Sequence, residues 1–165
     1  MQTFLPVPKF TQAAAYLDRQ RLGKQRIEAW QILQALAGLE DRWRHHPAVK
    51  MWEGAEITLC KYGIAICNEW KSRGYEDNMR QRFLDFMEDS LRHNVLLPGR
   101  NDGLPWWLGI EGFHLSHRSN LLRKDPEHYR QYWPDDPDTL EYTWPEPRAT
   151  VVLFSPDQLA WTSWT

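Results

Sequence analysis

The stretch Asp18-Arg-Gln-Arg-Leu-Gly-Lys-Gln-Arg-Ile-Glu28-Ala-Trp30-Gln-Ile-Leu33-Gln-Ala-Leu36-Ala-Gly38 decides the fold class. Ile27, Trp30, Leu33, Leu36 and Ala37 recur at helical spacing, and Gly38 suits the left-handed position just past a helix end. Gly23 marks either a break or a close packing contact inside this helix. Upstream, Pro6 and Pro8 keep residues 1–10 extended, and Thr11 is placed to cap a short helix through Tyr16 and Leu17.

Downstream, residues 40–52 form a Trp- and His-rich connection. A long helix over 55–73 follows, with Ile57, Cys60, Ile64, Cys67 and Trp70 on one face and Gly74 as its stop. Asn78 is positioned to cap a further helix carrying Met79, Phe83, Phe86 and Met87, ending before Pro98-Gly99, with a loop over 94–105. Another helix is expected over 112–123, and Pro126 opens a short last one through Tyr132. Beyond Pro134 the chain is rich in Pro and Asp, and Val151-Val-Leu-Phe154 reads as a strand or an extended strap. There is no internal repeat and no alternation of strands with helices. The expected architecture is mainly α: one compact helical domain over 1–133, with an irregular acidic extension over 134–165 packed on it.

Length and composition agree with one core. The chain has 165 residues, 42% apolar and 25% charged, inside the range of folded domains. Ten Trp, six Tyr and six Phe exceed what a helical core of this size needs, so some rings are candidates for stacking on flat ligands such as bases. No stretch approaches a membrane span and the N-terminus lacks the pattern of a signal peptide, which points to a cytoplasmic monomer without membrane association. Cys60 and Cys67 fall two turns apart on one helix, about 10 Å along its axis, too far for a disulfide. No Cys/His spacing matches a metal site, and neither a metal nor another cofactor is expected.

The net charge of −2 is unevenly spread. Residues 1–50 hold eight Lys/Arg against four Asp/Glu, and residues 91–131 hold six against four, whereas 51–90 and 132–165 are acidic. Two basic segments are therefore available to face phosphates. In the first, Arg19, Arg21, Lys24 and Arg26 surround Glu28, with Lys24 one helical turn from it. A solvated helix face with an i,i+4 ion pair gives this pattern. So does a carboxylate held among phosphate-binding cations, which cleavage of an N-glycosidic bond uses to stabilise positive charge developing on the sugar. The second segment, Trp106-Trp-Leu-Gly-Ile-Glu-Gly-Phe-His-Leu-Ser-His-Arg-Ser-Asn-Leu-Leu-Arg-Lys124, brings His114, His117, Arg118, Asn120, Arg123 and Lys124 onto a donor-rich helix followed by Tyr129, Tyr132 and Trp133. Core histidines with surface cations account for it, as does a backbone track with stacking platforms.

Several of these pieces, in order, resemble one family. Arg19-Gln-Arg-Leu22 followed after five residues by Glu28, His46-Pro47 leading to Trp52-x-Gly54, Glu69-x3-Arg73-Gly74, and Ser116-His-Arg-Ser-Asn-Leu-Leu-Arg-Lys124 with Tyr129-x-x-Tyr-Trp133 are similar to the pyrimidine-dimer DNA glycosylases typified by phage endonuclease V, and among them to bacterial relatives. The resemblance covers about residues 1–133. It implies a helical domain that flips a nucleotide out of double-stranded DNA at a damaged or modified base, with Glu28 as the catalytic carboxylate and Arg19, Arg21, Arg26, His46, His114, His117, Arg118, Asn120, Arg123, Lys124 and Tyr129 as DNA contacts. It also implies an N-terminal α-amine as nucleophile, with an associated lyase step. In the family that amine belongs to the residue after a removed Met; here Gln2 blocks removal and leaves the amine on Met1. A Glu28-activated water and Lys24 are the rival nucleophiles; α-amines titrate near ~7.7–8.0 and lysine side chains near ~10.4, so the Met1 amine supplies more free base at neutral pH than Lys24 does. Excision of bulky modified bases from foreign DNA and non-catalytic binding of distorted DNA are the alternative functions.

Overall fold

The computed structural model describes residues 1–92 and 104–146. Within them lie seven helices and no strand: α1 (Phe10–Tyr16), α2 (Arg19–Leu36), α3 (Pro47–Lys50), α4 (Glu56–Ser72), α5 (Arg80–Arg92), α6 (Glu111–Lys124) and α7 (Pro126–Tyr129). The mainly helical class is as the periodicity requires. The expected loop over 94–105 lies largely, and Val151–Phe154 wholly, outside the described residues.

α4 is the central helix, packed by α1, α2 and α5. Leu59, Tyr62, Ile66, Cys60 and Cys67 of α4 join Leu22, Ile32 and Leu33 of α2, Phe83 of α5 and Phe113 and Leu121 of α6 in one fully enclosed cluster. Each such large apolar side chain contributes about 1.5–3 kcal/mol by leaving water. Both cysteines are buried and form no disulfide, and burial pushes the Cys67 thiol up to about 12. Ile57, Ile64 and Trp70, expected on the inner face of α4, are half-buried at its flanks.

Helix ends follow local chemistry. Gly38 and Gly74 take positive φ (73° and 87°) just past α2 and α4, where a side chain would strain the backbone. Gly23 does not break α2; it admits the Trp70 ring, which would lie 2.9 Å from a Cβ at that place. Three expectations are corrected. α1 begins at Phe10 behind Lys9, with no side-chain cap, so Thr11 is inside it. Asp77 rather than Asn78 caps α5, because its carboxylate accepts the Arg80 N–H at 2.8 Å. The last helix is one turn, Pro126–Tyr129, and does not reach Tyr132. The connection over 40–52 contains α3, capped by the His46 ring, whose Nδ1 accepts the Ala48 N–H at 3.1 Å.

Two devices fasten the ends of the fold. Arg73 donates to the carbonyls of Leu17 (2.7 Å) and Ala15 (3.0 Å), closing the C-terminus of α1 against the end of α4. Residues 134–146 run without helix along α6: Ser119 Oγ accepts the Leu140 N–H (2.9 Å), Asn120 Nδ2 donates to the Leu140 carbonyl (3.1 Å), and Ser116 Oγ accepts the Thr143 N–H (3.1 Å).

Candidate active site

The carboxylate of Asp18 accepts the N–H groups of Gln20 (2.8 Å) and Arg21 (3.1 Å), which fixes where α2 starts. Arg21, Lys24, Gln25 and Glu28 then follow along one edge at steps of three and four residues. The inner face of α2 is Leu22, Gln25, Glu28, Ala29, Ile32 and Leu33, whereas Ile27 is 49% exposed. Ile27, which helical spacing groups with Trp30 and Leu33, is thus turned to water, while the acidic Glu28 is turned in. The N-terminal strap, together with α4, covers the first half of α2 and supplies polar partners there: the Gln2 carbonyl, the Phe4 N–H and the Tyr62 hydroxyl all meet Gln25.

Glu28 is nine-tenths buried and meets three groups. Its Oε2 accepts from Gln25 Nε2 at 2.9 Å, and its Oε1 lies 3.5 Å from Lys24 Nζ and 3.9 Å from the α-nitrogen of Met1. The Lys24 side chain is 70% exposed, so its charge is largely hydrated, while the Met1 amine and Glu28 face each other where less water screens them. His46 feels the same pair. Burial lowers its pKa, the Met1 ammonium lowers it further, and Glu28 opposes both.

Residues 2–6 form a strap gripped from several elements at once. Gln25 Nε2 donates to the Gln2 carbonyl (2.9 Å), and Gln25 Oε1 accepts the Phe4 N–H (2.8 Å). The Tyr62 hydroxyl lies 2.7 Å from Gln25 Oε1 and 3.1 Å from the Phe4 carbonyl; burial and the nearby Glu28 charge hold it protonated, well above its ordinary pKa. Trp52 Nε1 donates to Thr3 Oγ1 (3.0 Å). His114 Nδ1 donates to the Leu5 carbonyl (2.7 Å), with its Nε2 accepting the Gly109 N–H (3.0 Å), which defines the tautomer. His117 Nδ1 accepts the Leu5 N–H (3.2 Å), and Arg118 donates to the Pro6 carbonyl (3.0 Å).

In front of Glu28 opens a cavity of about 390 Å³, walled by Met1, Gln2, Phe4, Gln20, Arg21, Lys24, Gln25, Lys124 and Tyr142. That volume is at the scale of small-ligand sites. A second depression, of about 700 Å³, continues along α2 past Arg19, Arg21, Lys24 and Arg26 to Trp70. Arg21 is tied to Asp18 (3.3 Å) and to the Lys124 carbonyl (3.3 Å), joining the ends of α2 and α6 at the rim. Among the described residues no group of three or more His, Cys, Asp or Glu is placed to hold a metal, and no helix is long and apolar enough to cross a membrane.

The expected site residues thus separate. Glu28, Met1 and Lys24 come together, with Arg21 and Lys124 beside them; Arg19 is exposed, its guanidinium 5.2 Å from the centre of the Tyr75 ring. Arg26 binds Asp77 at 2.7 Å and covers the Trp70 ring at 4.3 Å. The donor-rich surface expected of α6 is instead interior. His114, His117, Arg118 and Asn120 are buried, and Arg118 is bound by Glu111 and Asp136. Tyr129, also buried, donates its hydroxyl to Asp18 at 2.6 Å, and Arg123 reaches Asn120 Oδ1. Apart from His117 Nε2, which is buried without a hydrogen-bond partner, the polar atoms of these buried α6 side chains are engaged, because α6 lies between the N-terminal strap and the 134–146 segment, which present backbone groups from both sides.

Sequence reasoning missed Gln25, Tyr62 and Tyr142, and gave Gln2 only the role of keeping the amine on Met1. Gln25 left one signal, a buried-type amide one turn before Glu28. Tyr142 left none. Its ring sits 6.4 Å from Phe4 and 5.6 Å from His117, and burial raises its hydroxyl to about 12 while the neighbouring Gln2 amide restrains the rise.

Residues 1–82 match the family model described as pyrimidine dimer DNA glycosylase. Comparisons with curated proteins and with solved structures give no match. The matched stretch holds the strap, α2, α3 and α4, and with them Gln25, Glu28 and Tyr62; Tyr142 and α6 lie outside it. The N-terminal half of the chain, which carries the whole Met1–Glu28 arrangement, belongs to the pyrimidine dimer DNA glycosylase family.

Proposed function

We propose that this protein excises a damaged or modified pyrimidine from double-stranded DNA, with the Met1 α-amine as nucleophile and Glu28 as the carboxylate beside it. The observation that carries the reading is the approach of the Met1 nitrogen to 3.9 Å from a buried Glu28 oxygen at the wall of a nucleotide-sized cavity. The free-base nitrogen attacks C1′ as the electron pair of the N-glycosidic bond leaves with the base, which takes up a proton. The nitrogen then loses a proton to Glu28. Its lone pair next opens the C1′–O4′ bond, O4′ is protonated, and an iminium at C1′ remains for water to hydrolyse. Throughout, the Glu28 charge opposes the positive charge on the sugar, where fixed charge is worth most.

Arg21, Lys24 and Lys124 at the rim, with Arg19 along the adjoining depression, supply cations for the phosphates flanking an extruded nucleotide. Tyr142 and Phe4 offer aromatic walls to its base. The buried residues of α6 serve indirectly, by holding the strap.

Sodium borohydride added during reaction with a duplex carrying one cyclobutane pyrimidine dimer tests the chemistry. The expected product is a covalent protein–DNA adduct mapping to residue 1 and lost on acetylation of the N-terminus. An adduct that survives acetylation but disappears in Lys24→Ala would move the nucleophile to Lys24. Glycosidic cleavage without any adduct would make water the nucleophile, and no cleavage of this duplex with base release from bulky modified cytosines would reassign the substrate.

A further inference from the structure

Gln25 is completely buried and makes four contacts with only two polar atoms. Nε2 spans the Gln2 carbonyl and Glu28 Oε2, both at 2.9 Å; Oε1 spans the Phe4 N–H at 2.8 Å and the Tyr62 hydroxyl at 2.7 Å. The amide orientation is not a free choice. Phe4 N–H only donates and the Gln2 carbonyl only accepts, so the oxygen faces the one and the nitrogen the other. One side chain thereby fixes the backbone on both sides of Thr3 and, with the same nitrogen, the carboxylate of the proposed reaction.

We propose that Gln25 is the positioning residue of the site: it sets the register of the strap, and so the distance between the Met1 amine and Glu28, with Tyr62 as its brace. This rests on the amine-and-carboxylate reading above. No other residue of α2 touches both partners. Trp52, His114, His117 and Arg118 grip the strap at residues 3, 5 and 6 without reaching Glu28. Releasing residues 2 and 4 leaves the first residues attached only from Thr3 onward, free to swing the amine away. A displacement of about 1 Å at reacting groups costs on the order of a hundredfold in rate.

The position also demands an amide. Glutamate is nearly isosteric and keeps an acceptor for Phe4 and Tyr62. It withdraws the donor from Gln2 and Glu28, and it places a second carboxylate against the first. Two carboxylates at that separation do not both ionise freely, so protons leave them at higher pH.

The test uses the full chain, the dimer-bearing duplex and three variants: Gln25→Glu, Gln25→Met and Tyr62→Phe. Wild-type protein must first form the borohydride adduct at residue 1; its failure there would refute the functional reading itself, separately from the role of Gln25. Given that adduct, Gln25→Glu is expected to lower trapping at pH 7 by about tenfold to a hundredfold. It should also move the acid limb of the pH–rate profile up by about one unit or more, while duplex affinity stays at the wild-type value. A merely structural glutamine would not shift that limb. Gln25→Met should lower trapping without moving the limb. Tyr62→Phe keeps the ring and is the variant best able to fold; it should give a smaller loss, about threefold to tenfold, again with the limb in place. Wild-type trapping in a folded Gln25→Met, or an unmoved acid limb in Gln25→Glu, would overturn the proposal.

Discussion

α2 and α6 carry much the same kind of sequence and meet opposite fates. Each holds several cations among polar and apolar residues, and each belongs to one of the two basic segments of the chain. On α2 the cations Arg19, Arg21 and Lys24 border depressions in the surface and the acid is the group turned inward. On α6 the cation itself is turned inward: Arg118 is buried, bound by Glu111, Asp136 and the Pro6 carbonyl, with two buried histidines beside it. Charge count along a helix therefore does not say whether the charge is offered to a ligand or consumed by the fold. What decides is whether another segment supplies acceptors. The 134–146 extension does so for α6, and nothing among the described residues does so for the exposed Lys24 beyond Glu28 itself.

The contrast predicts functional losses from α2 and stability losses from α6. The largest effect is expected of Glu28→Gln. It removes charge stabilisation used in the transition state and should cut base release by about 10²–10³-fold or more, with the melting temperature and duplex affinity little changed. Full activity in a folded Glu28→Gln protein would remove α2 from the chemistry.

Arg118→Ala should act on the fold instead. It strands the Pro6 carbonyl and the largely covered Asp136 carboxylate, while the exposed Glu111 returns to water, at a cost of about 2–3 kcal/mol in urea denaturation, the scale of hydrogen bonds to charged groups. Unchanged stability together with a reduced salt dependence of DNA binding would turn Arg118 back into a phosphate contact.

Acid titration sharpens the same point. Burial, with His114 adding to it, pushes His117 down to about 3 from the ordinary 6.5, so it stays neutral in the fold while the unfolded chain takes up a proton. The stability this provides is complete above pH 6.5. It declines as pH falls from 6.5 toward 3, by up to about 1.4 kcal/mol per pH unit, and His114, also shifted downward by burial, adds to the decline. His117→Asn keeps an acceptor for Leu5, and its denaturation midpoint should vary less with pH across that window; an identical pH dependence would place the cause elsewhere.

The smallest effect is expected of Arg19→Ala and Lys124→Ala, both at exposed positions. Each should leave the melting temperature unchanged and reduce the slope of log affinity against log salt by about 0.9, equally for damaged and undamaged duplex.

The sequence alone determined what local geometry determines. Helical periodicity fixed the class, Gly38 and Gly74 marked helix ends because only a residue without Cβ takes positive φ at no strain, and an i,i+4 step put Lys24 within reach of Glu28. Tertiary structure decided the rest. Met1 meets Glu28 because Gln25, Tyr62, Trp52 and α6 converge on the strap; Ile27 faces water while the strap and α4 cover the other side of α2; Tyr142 enters the cavity because the extension is tied along α6. In each case the deciding partner is remote in sequence, and helical repeat carries no information about which distant segment will bury a given face or satisfy its donors.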